Sequence, residues 1–365
     1  MATLQGLWQH LQRELFPLLT EELGPLGERD HQFVRVVALL PLGRLVERYN
    51  WGGSGRPPHE RTWMVHAFIA KSVYGFITTE LLIDALKASP SLRRLCGWQS
   101  AGDIPHASTF SRAFAQFAAD ALPQEIHEAL VKLHCGPKLV GHISRDSTAI
   151  EVPEKALCKA QRLPEVKSAP RKAGRPKKGQ APAPRPPSTL EIQSARSLSE
   201  NLKELPNQCD VGCKTDSKGY KVWWRGYKLH LDVIDGDIPV SALLTSASVH
   251  DSQAAIPLAQ MSGARVRALY QLMDSAYEAA AIRDFVSGLG QVPIIAPKRR
   301  EGFIPLDPAQ QTRLGQRSAN ERVHSRLKQE FGGRTVRVRS AAKVMCHLMF
   351  GVVVITALGL WQRLC

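Results

Sequence analysis

One stretch limits every fold this chain can adopt. Between Lys155 and Pro187 the sequence holds ten Lys and Arg, seven Pro and a single acid, Glu165. Such a composition cannot bury enough apolar surface to offset the entropy of ordering, so it reads as a flexible basic insertion. Any core must come from the segments on either side, and these differ in period.

Upstream, residues 1–135 read as helical. Apolar positions recur at helical spacing in ERTWMVHAFIAKSVYGF, and TTELLIDALKASP begins at a Thr cap and stops before Pro90. PHASTFSRAFAQFAADAL is a further amphipathic helix with Ser108 or Thr109 as cap. Arg56, Arg61, Arg93, Arg94 and Arg112 could meet phosphates, so a DNA-binding helical unit and a purely structural one both fit.

From residue 136 the period shortens. PKLVGHISRDSTAIEV reads as a strand, followed by the insertion, placed at about 154–215. Two strands, GYKVWWRGYKLHLDVID and IPVSALLTSAS, then flank an Asp235-Gly236-Asp237 turn. Helix, strand, helix and short strand follow, and then the basic helix QRSANERVHSRLKQEFG. The last apolar run, Val344 to Trp361, is almost long enough to span a bilayer, but it carries His347 and Thr356 and has no companion span. It reads as a buried helix covering a sheet. The expected architecture is a mixed α/β domain, residues 136–365, behind an all-helical N-terminal region.

Charge narrows the partners. With 48 Lys and Arg against 33 Asp and Glu, the formal charge is +15, which favours a nucleic acid over a membrane. Within the insertion, RKAGRPKKGQ resembles an AT-hook, whose Arg175, Lys177 and Lys178 would enter a narrow A·T minor groove; a generic electrostatic tether is the other reading of the same run. Seven scattered cysteines form no secreted disulfide framework, and no signal peptide is read, so a reducing cytosol is expected. Cys209 and Cys213 make a CxxxC with no nearby companions, a weak zinc signal.

Three acids need explaining. Asp274 ends a strand, where a turn or cap role is the plain reading. Asp146 lies inside an apolar strand, and an unpaired buried carboxylate costs several kcal/mol, so something cationic should face it. Neighbouring Arg145 points to the opposite face and cannot serve. Glu321 stands on the basic helix, where Arg317 four residues earlier could simply pair with it. A divalent cation bound by all three is the sharper alternative, since Mg²⁺ takes hard oxygen ligands and paired ions drive in-line phosphoryl chemistry. Arg317, Glu321, His324 and Lys328 fall at helical i, i+4, i+7 and i+11, so their cations would share one face and grip a DNA backbone; Arg322 and Arg326 are further candidates. Trp223 and Trp224 must face opposite sides of their strand, one in the core and the other free to stack a base.

These motifs resemble the DDE transposases of bacterial insertion sequences, which have a ribonuclease-H-like core. ISRDSTAIEV resembles the first Asp motif and MDSAYE the second, with Ala276 where the family has Gly. Arg317, Glu321 and Lys328 match the family's R-x3-E-x6-K signature, although Leu314 takes the position of its Tyr. TSASVHDS, with His250 and Asp251, resembles the turn after the third strand; His250 could touch phosphate or serve as a helix cap. The resemblance implies Asp146, Asp274 and Glu321 as catalytic ligands for Mg²⁺, with Mn²⁺ able to substitute. It also implies double-stranded DNA ends and target as partners, an oligomer on DNA, and hydrolysis followed by transfer of the freed 3′-OH. No phosphate-cradling Gly-rich loop is present, so no nucleotide cofactor is expected. A DNA-binding protein without chemistry, and a nuclease without strand transfer, are the alternatives.

Overall fold

The structure is a computed structural model, which describes residues 25–53, 57–156, 186–215, 218–297 and 305–364. The N-terminal part is helical, as its apolar spacing predicts. α1 (Glu28–Leu39), α2 (Gly43–Glu47), α3 (Arg61–Tyr74), α4 (Thr79–Ala88), α5 (Pro90–Cys96), α6 (Ala107–Ala119) and α7 (Leu122–His134) follow one another. Local chemistry sets their limits. Thr78 caps α4 by accepting from the Leu81 amide at 3.2 Å, and Ser89 caps α5, whose first residue is Pro90. The cap of α6 is His106, not Ser108 or Thr109.

A six-stranded mixed sheet forms the second part, built from β1 (Leu139–Glu151), β2 (Asp210–Thr215), β3 (Lys221–Ile234), β4 (Ile238–Ser246), β5 (Arg267–Met273) and β6 (Val292–Ile295). β1 lies antiparallel to β3 and parallel to β5, which is parallel to β6. On its other edge β3 pairs first with β2, over Lys221 to Gly226, and then with β4, from Tyr227 onward. Gly226 marks the change of partner; at φ 148° any side chain there would strike the Ile150 carbonyl. The expected hairpin turn is present, with Gly236 and Asp237 both at positive φ. Antiparallel β1, β3 and β4 continued by parallel β5 and β6, flanked by helices, is the ribonuclease-H-like arrangement.

Part of the stretch read as insertion has regular structure. α8 (Thr189–Ala195) and α9 (Leu198–Glu204) precede β2. Two capping boxes start these helices, Ser188 with Glu191 and Ser197 with Glu200. Leu202 and Leu205 then pack against α10 (Ser252–Gly263). Residues 157–185, including the AT-hook-like Arg175, Lys177 and Lys178, lie outside the described residues, as does Arg56.

The remaining helices are α11 (Ala280–Gly288), α12 (Pro308–Leu314), α13 (Ser318–Gln329) and α14 (Ala341–Leu364). α14 is the apolar run of the sequence. It is long and apolar enough to cross a membrane, yet 83% of its most apolar window is buried. It packs on α1, α3, α6 and α7 on one side and on β4 on the other, so helical region and sheet share one continuous core.

Candidate active site

Asp146 and Asp274 are neighbours because their strands are. The parallel ladder between β1 and β5 pairs Ser144 with Leu272, and each aspartate lies two residues further on. Asp274 therefore follows the carboxyl end of β5, and Asp146 lies within β1 just beyond the point where its pairing with β5 stops, still paired to Leu231 of β3. Asp274 also plays the plain role: it caps the single-turn helix Ser275–Tyr277, accepting from the Ala276 amide at 2.9 Å. That bond occupies one carboxylate oxygen.

Asp146 accepts from the Ser147 amide at 2.9 Å, and its other oxygen lies 3.6 Å from Arg317 Nη1. The cation demanded by a carboxylate in an apolar strand is therefore Arg317. Ser144, on the same face of β1, lies 3.4 Å from the Gln316 carbonyl and holds the turn carrying Arg317 over the strand. Burial nevertheless pushes the Asp146 carboxyl up to about 6, with help from the negative charge of Asp274 and Asp251. The Ser147 amide and Arg317 pull the other way without cancelling it.

Glu321 stands apart from this pair. Its side chain is 69% exposed and lies 4.0 Å from Arg317 Nη2, so one guanidinium faces both Glu321 and Asp146. The structure thus brings two of the three expected acids together and places the third on the flank, across Arg317. Among the described residues no three metal-capable side chains converge. A divalent cation fits the aspartate pair by donor chemistry: two hard carboxylates side by side, one of them destabilised as an anion by burial and by its neighbours' charge.

Helix α13 also departs from the expected row of cations. Its buried stripe runs through Ala319, Asn320, Val323, His324 and Leu327. His324 belongs to that stripe; burial, with the charge of Lys328, pushes its imidazole down to about 3, so it stays neutral and offers no cation. Arg322 holds Asp237 of the hairpin turn through two bonds of 2.7 Å, fastening the helix to the sheet. Arg326 lies 3.9 Å from Glu330 and over the Phe331 ring. Lys328 is half-buried, and burial followed by the nearby Lys214 lowers its ammonium pKa, with Arg334 adding and Glu151 opposing.

His250 accepts from the Ser252 amide at 3.3 Å, which places it in the helix-cap neighbourhood of α10, although the N-cap residue itself is Asp251. Beside it Asp251 pairs with Lys228 at 2.9 Å. Of the two tryptophans, Trp224 is buried and donates to the Tyr227 carbonyl at 3.1 Å, whereas Trp223 is 63% exposed. Cys209 is buried and Cys213 exposed, and neither belongs to a metal-capable cluster among the described residues. In the helical region Arg93 is bonded to the Leu86 and Lys87 carbonyls and Arg61 to Gln116.

One supporting pair escaped the sequence reading. Arg145 and Asp232 lie opposite each other in the β1–β3 register, with no exposed side-chain surface, and make two bonds of 2.8 Å. Ser262 of α10 adds a bond to Asp232 at 2.6 Å. This pair fixes the strand on the face opposite Asp146. The signal was present: Asp232 is an acid inside the apolar run LHLDVI, so the reasoning applied to Asp146 applies to it too.

Residues 143–357 match the family model described as a transposase DDE domain, and residues 21–116 match one described as a transposase domain. Comparisons with curated proteins and with solved structures give no match. With the larger match covering both aspartates, Glu321 and the whole sheet except the first residues of β1, the chain belongs to the DDE transposases of insertion sequences.

Proposed function

We propose that this transposase cuts DNA at the ends of its own element by hydrolysis and joins the freed 3′-OH to target DNA. The observation that carries the reading is the adjacent Asp146, within β1 where its ladder with β5 stops, and Asp274, just after β5, with the Asp146 carboxyl raised to about 6. Asp146 and Asp274 would hold a divalent cation, Mg²⁺ with Mn²⁺ as substitute, and Glu321 would join them from across Arg317. Such a cation supplies charge stabilisation for a phosphate under attack and for the leaving oxygen.

The chain's own groups do the rest. Arg317, set between Asp146 and Glu321, can pair with a non-bridging phosphate oxygen of the scissile strand. Lys328, Lys214 and Arg334 gather positive charge around the single acid Glu151, an arrangement that a DNA backbone would neutralise. In hydrolysis, water adds to phosphorus and the P–O3′ bond breaks, leaving a 3′-OH and a 5′-phosphate. That 3′-OH then attacks a target phosphorus, and the target's own 3′ oxygen leaves with the proton. One phosphodiester is exchanged for another, so no nucleotide is consumed. Cutting and joining two ends together calls for at least a dimer on DNA.

Product analysis tests the joining step. The purified chain is incubated with DNA carrying the element's ends, a supercoiled target plasmid and Mg²⁺. Covalent attachment of the end's 3′ strand to the plasmid supports the reading. Cut ends without joined product would instead make this a nuclease.

A further inference from the structure

The β2–β3 ribbon presents one large exposed aromatic ring, Trp223, among basic neighbours. Val211, Cys213 and Thr215 of β2 oppose Arg225, Trp223 and Lys221 of β3. Directly opposed residues share a face, and alternate residues return to it. All six are exposed. Trp223 stands at the centre at 63% exposure, with Val211 at 42%. The fold could have hidden an indole here, and it did so with the next residue, Trp224. Leaving a large ring in water forgoes the gain of burying it, which marks a surface awaiting a partner.

Charge says what kind of partner. Lys221 and Arg225 flank Trp223 two residues away on either side, and none of the six residues is an acid. A flat ring between two cations complements a polyanion whose units carry flat π faces. We propose that this face is a stacking platform for unpaired DNA bases, with Trp223 under the base and Lys221 and Arg225 on the adjoining phosphates. The inference rests on the DNA reading above and extends it from duplex phosphates to single-stranded bases. Intact duplex hides its base faces in its own stack, so only a frayed or melted end offers them.

The test compares a blunt duplex with the same duplex bearing a short unpaired tail, each titrated with the full chain. The wild type should prefer the tailed DNA by roughly tenfold, the scale of one base–aromatic stack. Trp223→Ala should lose that preference, and Trp223→Phe should keep most of it because the π face survives. Cys213, exposed directly across from Trp223, gives a readout needing no substitution: tailed DNA should slow its alkylation by iodoacetamide, and blunt DNA should not. Equal wild-type affinity for both DNAs, or an undiminished preference in Trp223→Ala, overturns the proposal. So does a Trp223→Ala chain that loses self-association without losing the preference, since the face would then be covered by a second copy. Failure of the wild type to bind either DNA would overturn the DNA reading itself.

Discussion

The guanidinium of Arg317 lies 3.6 Å from the carboxylate of Asp146, which joins the basic helix to the first core strand at the candidate active site. Arg317 favours the ionised form of Asp146, yet burial still holds that carboxyl at about 6. A protonated carboxyl is a poor ligand for a cation. DNA cleavage should therefore fall as pH drops through about 6, and Arg317→Gln should move this acid limb to higher pH. The pH dependence of single-turnover cleavage, measured for both proteins, checks the order of the two limbs.

The same shift carries a stability consequence of known sign. The folded state holds the Asp146 proton more tightly than the unfolded chain, whose carboxyl titrates near 4, so ionisation disfavours the fold as pH rises from about 4 to about 6. Asp146→Asn should stabilise the protein at pH 7 by on the order of 2 kcal/mol, discounted for a side chain one-fifth exposed. The gain should vanish near pH 4. Urea unfolding at the two pH values measures it, and the inactive variant should be the more stable protein at pH 7.

Buried imidazoles act in the opposite direction. Burial holds His127 and His324 at about 3 and His230 and His347 at about 4, all below the ordinary value of 6.5. The unfolded chain takes up these protons first, so the stability from neutral imidazoles is complete above about 6.5 and is lost as pH falls toward 4. Four such groups outweigh the single opposing carboxyl of Asp146. The melting temperature should drop by several degrees between pH 7.5 and pH 5.

Removing one member of the buried Arg145–Asp232 pair strands the other's charge without solvent. Arg145→Met should cost about 3–5 kcal/mol. Arg145→Met combined with Asp232→Leu should cost much less than the sum of the two single changes, because no lone charge is left. A double-mutant cycle by chemical denaturation reads the coupling directly.

Periodicity and capping made most of the fold legible in the sequence. The switch from helical to alternating spacing separated the helical region from the sheet, and the Asp235-Gly236-Asp237 turn lies where its residue types place it. α8 and α9 start at Ser-x-x-Glu boxes but are only seven residues each, too short for apolar spacing to stand out beside the Pro- and Lys/Arg-rich run. At the site, the anomaly of Asp146 in an apolar strand led to a cation, and the cation in the fold is Arg317. His324 misled because helical spacing gives an angle around an axis but not which angle faces the core; Val323 and Leu327 settle that by packing inward. Asp251 joined the site's electrostatics only through the approach of α10 to the sheet, a long-range contact that no local pattern encodes.

The central claim is that Asp146 and Asp274, with Glu321 across Arg317 from them, cut DNA on a surface that binds it independently. The most direct measurement is Mg²⁺-dependent nicking of DNA carrying the element's ends, run beside a binding titration, for wild type, Asp146→Asn, Asp274→Asn and Glu321→Gln. The account predicts nicks at the end bases by the wild type, none by any variant, and DNA affinity within a few-fold of wild type throughout. Nicking that survives in Asp146→Asn or Asp274→Asn would contradict it, and nicking that survives only in Glu321→Gln would leave that residue as the ion-pair partner of Arg317.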